Sequence, residues 1–222
     1  MALGKPYQIP LFVSEMTSVY ADPVGDTAAV VTNEDKVDVG ELESYLEEKG
    51  VSSDVKSDAL NGAKSINYLS NVMNRLEDYG EFSILDKYLE KIGYGGLNKP
   101  EYKVSSGKDS NVVAYTDTEN MIGVGLEFEK RVNEMIRNSG LSKDMAEYYV
   151  VAHELIHLAQ PKSKLGDTYT AESDADLKLA YFFIDRAGSS VDKNEKESYL
   201  NAGKYAVARC SGLLDSKNYW LN

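Results

Sequence analysis

Apolar residues recur at helical spacing between Val39 and Tyr94, in three segments that each end at a glycine. These glycines are Gly50, Gly80 and Gly93, and glycine is common just past a helix C-terminus. Before the helices, the runs YQIPLFV and TAAVVT are rich in β-branched and aromatic residues and are separated by the turn-rich ADPVGD. The pattern predicts short strands followed by three amphipathic helices.

The breaker cluster GYGGLNKP is the best candidate for an internal boundary. After it, EYKVSSG, NVVAYTD and NMIGVGLEF are typical of strands, and the last two are expected to form a hairpin. Four helices should follow: one that ends at Gly140, one capped by Ser142 and stopped before Pro161, one from Thr168 or Thr170, and one over 194–213. We therefore expect two domains, 1–97 and 98–222.

Both histidines of the chain, His153 and His157, lie in the sequence HELIH within a predicted helix. Side chains four residues apart share a helix face, so the two imidazoles should lie side by side, as two ligands of one zinc ion do. Glu154 between them is positioned to reach a water on that ion. Chance would give this pattern on the order of once in a thousand such chains, which favours a metal site over two histidines of an ordinary buried helix.

A catalytic zinc site needs a third protein ligand, and the chain has no further histidine. Gln160 and Ser163 stand where a third histidine would follow three turns on, so that pattern is excluded. A carboxylate or the thiol of Cys210 remains. Glu172 and Asp176 lie four residues apart in the next predicted helix, either as site residues or as a solvated acidic face.

HELIH at 153–157 and ESDAD at 172–176 resemble the gluzincin metallopeptidases, the thermolysin-like group with HExxH and a downstream glutamate, and especially their minimal members with an ExxAD helix. The resemblance extends from Tyr102 to Ala187. It implies an α+β fold with a zincin-like core, in which a twisted mixed sheet with an edge strand is followed by a backing helix, the HExxH helix and a glutamate helix. An N-terminal helical segment would be added to that core.

The resemblance also implies roles for individual residues. Glu172 would be the third zinc ligand, and Asp176 would hold one imidazole in the correct tautomer. Relatives use a Tyr or His donor to stabilise the oxyanion, and because no histidine is left, Tyr169 is the first candidate and Tyr181 the second. We expect Tyr148 and Tyr149, on the motif helix, to be packing groups.

The implied activity is zinc-dependent hydrolysis of peptide bonds, with Glu154 accepting a proton from the zinc-bound water and passing it to the leaving amine. The substrate would be a peptide or protein bound along the edge strand near Asn120–Phe128, where Gly123 and Gly125 allow close backbone approach. The protein would then be a metalloprotease, a hydrolase that depends on metal binding.

Charge and composition disfavour several classes of binding partner. A net charge of −12 and a pI near 4.7 disfavour nucleic acid as a partner. No apolar run approaches the ~18 residues of a membrane span, and the interrupted N-terminal run does not resemble a secretory leader. The single cysteine gives no sign of an oxidising compartment, so we expect a cytoplasmic protein without membrane contact.

Two other functions remain open. The first is a regulatory interaction protein that binds zinc as a structural clasp, with Cys210 as a fourth ligand. The second is a latent protease whose cleft is covered by the helices of 39–94, by the tail LLDSKNYWLN or by the Cys210 thiolate.

Overall fold

The computed structural model describes the backbone of most of the chain and the side chains of a smaller part. The backbone is described for residues 9–12, 17–21, 28–32, 36–97, 101–104, 114–116, 121–161 and 168–221. Side chains are described for residues 30, 36–97, 114, 122–161 and 169–212. The predicted loop KSKLGD and most of the predicted turn ADPVGD lie outside these residues.

Helices dominate the described residues. They are α1 (Val39–Glu48), α2 (Ser53–Asp78), α3 (Glu81–Lys91), α4 (Phe128–Ser139), α5 (Lys143–Ala159), α6 (Thr168–Ser189) and α7 (Lys193–Leu221). The predicted glycines follow the first four helices with positive φ angles, 63° at Gly50, 72° at Gly80, 81° at Gly93 and 71° at Gly140. Residues with a Cβ avoid this conformation, which explains why glycine ends these helices.

The backbone also traces short strands of three to five residues. They are β1 (Ile9–Phe12), β2 (Thr17–Ala21), β3 (Ala28–Thr32), β4 (Glu101–Val104), β5 (Ala114–Thr116) and β6 (Met121–Val124). Their order is β1-β2-β3-β4-β6-β5. β5 and β6 form the expected antiparallel pair, with Tyr115 opposite Gly123, whereas β4 and β6 run parallel.

The prediction of an α+β fold with a zincin-like sheet core is wrong. Of the residues whose side chains the structure describes, 79% are helical, and their only strand run is the short β6. The HExxH helix α5 packs against the helices α3, α6 and α7. The protein is therefore mostly helical, because the strand-forming runs are too short to supply a core layer comparable with the helices.

The prediction that Asn120–Phe128 is an edge strand is also wrong. β6 lies between β4 and β5, so both of its sides are already paired. The segment then leaves the strand, and Phe128 begins α4. A substrate backbone cannot add to a strand whose two sides are occupied, so the expected place for peptide pairing is lost.

The chain groups into two compact units. One comprises Met1–Met73 and Lys99–Arg131, and the other comprises Asn74–Asn98 and Val132–Asn222. This grouping differs from the division at residue 97, which stays a prediction about domains. In the first unit, Asn67 joins α2 to the start of α1: its Oδ1 accepts from Val37 N at 2.7 Å and its Nδ2 donates to Val37 O at 2.9 Å.

In the second unit, the described residues form helices and loops but no strand. Its core contains several aromatic side chains. Phe182 and Phe183 of α6 are fully buried, and both pack against Tyr148 of α5. α7 lies close to α6 at Gly203, where an added Cβ would be 3.2 Å from Ile184 Cγ1. This packing fixes α5 against α6, the two helices that carry the predicted ligands.

Candidate metal centre

Helix α5 presents both histidines on one face. Its N-terminus is capped by Ser142, whose hydroxyl accepts from Met145 N at 3.3 Å, and the helix ends at Ala159 before Pro161, as predicted. One turn apart, the Nε2 atoms of His153 and His157 are 3.1 Å from each other. The imidazole rings are nearly perpendicular, at 83°. Two ring nitrogens therefore face the same point.

Helix α6 brings a carboxylate to that point. Glu172 Oε2 lies 3.1 Å from His153 Nε2, and Glu172 Oε1 lies 3.1 Å from His157 Nε2. The side chains of the two histidines are 5% and 10% exposed, whereas that of Glu172 is 31% exposed, so the group is reached from the Glu172 side. The three residues that the sequence suggested as ligands thus come together.

This group could hold a metal ion. Zinc bonds of about 2.0–2.1 Å at tetrahedral angles place neighbouring ligand atoms roughly 3.3 Å apart, close to the separations seen here. Two imidazoles and one carboxylate are also a ligand set that zinc accepts in proteins. The geometry and the donor chemistry both fit a zinc ion.

His153 is held on its far side by a buried carboxylate. Its Nδ1 lies 3.1 Å from Oδ1 of Asp176, a fully buried residue. The hydroxyl of Tyr149 donates to the same oxygen at 2.6 Å, and Arg209 Nε of α7 lies 3.4 Å from Asp176 Oδ2. Asp176 thus contacts one imidazole, the neighbour that the family resemblance implied for it, and Tyr149, expected only to pack, also contacts Asp176. Such a partner fixes ring orientation and raises the basicity of the other nitrogen.

His157 is held on its far side by an amide. Its Nδ1 lies 2.8 Å from Oε1 of Gln160, which is 5% exposed. Gln160 Nε2 donates to the backbone oxygen of Ala171 at 2.8 Å and to Asp174 Oδ2 at 3.1 Å. The hydroxyl of Tyr94, from the loop after α3, donates to the same Asp174 oxygen. Each imidazole therefore has its own support.

The electrostatics of the group favour bound positive charge. Burial disfavours a charged His153, but the adjacent carboxylates of Asp176 and Glu172 outweigh it and raise its pKa to about 9. The pKa of His157 is also raised, because its hydrogen bond to Glu172 and the charge of Glu154 outweigh burial. Burial opposes ionisation of Glu172, yet the two imidazoles lower its pKa. A divalent cation would supply the positive charge that these protons supply beside the carboxylates.

The predicted catalytic residues differ in their surroundings. Glu154 is 6% exposed, and its charge raises the pKa of both histidines, so it lies in their electrostatic neighbourhood. Tyr169 is 39% exposed in the first turn of α6, and its role stays a prediction. Tyr181 is 57% exposed and lines a separate cavity with Tyr88, so the structure does not bring it to the metal group.

Cys210 lies beside the centre without belonging to the ligand group. Its buried thiol donates to the backbone oxygen of Ser173 at 3.4 Å, and burial raises its pKa. Among the described residues, the group that could hold a metal consists of His153, His157 and Glu172.

Sequence reasoning missed several residues around the centre: Gln160, Asp174, Tyr94 and Arg209. For Gln160 a signal existed, since a glutamine directly after the HExxH helix can reach back to the second histidine. Tyr94 and Arg209 come from distant parts of the chain and carried no local signal.

Comparisons with known proteins identify no relative. No protein-family model, no curated protein and no solved structure matches the chain. Among the described residues, none of the helices combines the length and apolar character needed to cross a membrane.

Proposed function

We propose that this chain is a zinc-dependent hydrolase of peptide bonds, similar in chemistry to the gluzincin metallopeptidases. The observation that carries the proposal is the convergence of three side chains: the Nε2 atoms of His153 and His157 lie 3.1 Å apart, and each lies 3.1 Å from one carboxylate oxygen of Glu172. Three protein ligands leave a tetrahedral zinc with one further position, as in catalytic rather than structural sites.

Glu154 is the proposed general base. When bound, zinc in such a site lowers the pKa of a water ligand and polarises a substrate carbonyl. Glu154 accepts the proton of the attacking water and passes it to the leaving amine. His153 and His157 would hold the ion through Nε2, because Asp176 and Gln160 lie against their Nδ1 atoms. Tyr169 remains the proposed donor to the developing oxyanion.

The substrate class is a peptide or protein, and it would approach from the side where Glu172 is partly exposed. The alternative of a closed structural clasp with Cys210 as fourth ligand is less favoured, since that thiol donates to Ser173 O. A non-catalytic zinc-binding interaction protein is still the competing function. It predicts bound zinc without turnover.

The test combines metal analysis with cleavage of a peptide library. Purified wild-type protein should contain about one zinc per chain and cleave a subset of the peptides. Glu154→Gln should keep the zinc and lose cleavage by a factor of about 100 or more, the usual contribution of a general base. Measuring both quantities on the same sample separates loss of the base from loss of the metal.

Two results would count against the proposal. Wild-type protein that takes up no zinc would exclude the metal centre. A Glu154→Gln variant that cleaves as fast as wild type would exclude Glu154 as the base. Zinc uptake without cleavage of any peptide would favour the interaction protein.

A further inference from the structure

We propose that Gln160 is a positioning residue for the metal centre, which fixes the tautomer of His157 and is itself held by Asp174 and Tyr94. The inference rests on the proposed zinc site, but it concerns a hydrogen-bond chain outside the ligand group. This hydrogen-bond chain runs from Tyr94, in the loop after α3, through Asp174 and Gln160 to the imidazole of His157.

The orientation of the Gln160 amide follows from its partners. On one side lie the backbone oxygen of Ala171, at 2.8 Å, and Asp174 Oδ2, at 3.1 Å. A carbonyl and a carboxylate only accept hydrogen bonds, so the NH₂ group of Gln160 must face them. Its carbonyl oxygen is then left to face His157 Nδ1 at 2.8 Å.

The tautomer of His157 follows from that orientation. A carbonyl oxygen only accepts, so Nδ1 of His157 carries the hydrogen and donates to Gln160. The other nitrogen, Nε2, faces Glu172 and His153, and in the neutral imidazole it carries the lone pair that a metal ligand needs. A flipped Gln160 amide would place its NH₂ group against the Nδ1–H of His157. Two donors would then face each other, which would disfavour this tautomer.

Tyr94 is the residue of the hydrogen-bond chain that lies farthest from His157. Burial and the neighbouring Asp174 raise the pKa of Tyr94, so its hydroxyl keeps its proton and donates to Asp174. The backbone holds this loop in place: Tyr94 N donates to Leu89 O at 2.9 Å, and Gly95 N to Ala159 O at 3.4 Å. The loop after α3 is therefore tied both to the end of α5 and to the amide that faces His157.

The experiment compares three variants with wild type. Gln160→Met keeps the length of the side chain but removes both the acceptor and the donor. Tyr94→Phe removes only the far donor. Tyr88→Phe is the matched control, because Tyr88 lies on the preceding helix α3 and its hydroxyl donates to the backbone oxygen of Lys178 rather than to this hydrogen-bond chain.

Two quantities are measured. The first is the Kd for Zn²⁺, obtained by competition with a chelator. Gln160→Met should weaken binding about 10- to 100-fold, the usual effect of losing a partner of a ligating histidine. Tyr94→Phe should weaken it less than about tenfold, because it acts through two intervening side chains. Tyr88→Phe should bind as wild type does.

The second quantity is the NMR signal of each imidazole N–H in the zinc-loaded protein. The chain has two histidines, so wild type should show two protected Nδ1–H signals, one for each ring. Gln160→Met should lose the signal of His157 and keep that of His153, which serves as an internal control. General damage to the fold would affect both signals.

The outcomes separate this inference from the proposed function. If wild type binds no zinc, the proposed function fails. If wild type binds zinc while Gln160→Met has the same Kd and retains both N–H signals, the metal centre stands and the positioning role of Gln160 is overturned.

Discussion

The two histidines of the metal centre are supported in different ways. His153 faces the carboxylate of Asp176, which is contacted by Tyr149 and approached by Arg209. His157 faces the neutral amide of Gln160. Both arrangements leave the Nε2 atom of the histidine directed at Glu172. A supporting group therefore needs no charge of its own to orient an imidazole. A carboxylate increases ligand basicity more than an amide does, but it must be compensated when buried.

The difference shows how a buried centre can limit its negative charge. Glu154, Glu172, Asp174 and Asp176 already bring four carboxylates to the ligands and their supports, and a carboxylate in place of Gln160 would add a fifth. An amide at Gln160 orients His157 without that addition, and Arg209 offsets part of the rest. Three substitutions test this asymmetry, in order of decreasing effect.

Glu172→Ala should have the largest effect, because Glu172 contacts both imidazoles. We expect the affinity for Zn²⁺ to fall by more than about 100-fold, beyond what the loss of a supporting group causes. Metal content after dialysis and a chelator competition would measure it. Asp185→Ala, an exposed acid on the same helix, is the control and should keep its zinc. Equal zinc content in the two variants would remove Glu172 from the ligand set.

Asp176→Asn should have the next largest effect, because it gives His153 an amide support like that of His157. The affinity for Zn²⁺ should fall about 10- to 100-fold. The metal-free protein should also lose about 1–3 kcal/mol of unfolding free energy, since the buried contacts of Asp176 are no longer matched. Urea unfolding and zinc titration would check both numbers. An unchanged Kd would mean that the charge of Asp176 does not matter for the metal.

Tyr149→Phe should have the smallest effect. It removes the hydroxyl that donates to Asp176 but keeps the ring, which stacks on Phe183 with centroids 6.2 Å apart. Loss of one such hydrogen bond costs about 1 kcal/mol, so zinc affinity should change less than tenfold. A change as large as that of Asp176→Asn would show that Tyr149 acts on the ion more directly than its position indicates.

Local features of the chain were predictable from the sequence. Helix ends at Gly50, Gly80, Gly93 and Gly140 follow from the backbone conformation that each turn requires. The shared face of His153 and His157 follows from the helical repeat. The position of Glu172 came from resemblance to a known family, and the structure brings its carboxylate to the two histidines.

Features that depend on distant pairing were not predictable. Short apolar runs indicated strands, but they do not reveal how many neighbours a strand has, and β6 proved to be interior. For the same reason, the sequence did not predict that helices would form most of the core. Gln160 reaches His157 over three residues, whereas Tyr94 and Arg209 reach the centre from other elements of the fold.

The close approach of α6 and α7 at Gly203 has a consequence for the centre. A methyl group there would be 3.2 Å from Ile184 Cγ1 and 3.5 Å from the backbone oxygen of Ala180, so the Ile184 side chain would have to shift by a few tenths of an ångström. Arg209 follows about two turns later on α7. The missing Cβ thus lets α6 and α7 approach closely on the same pair of helices that carries Asp176 and Arg209, so crowding at this seam would reach the guanidinium contact only through the packing between the two helices.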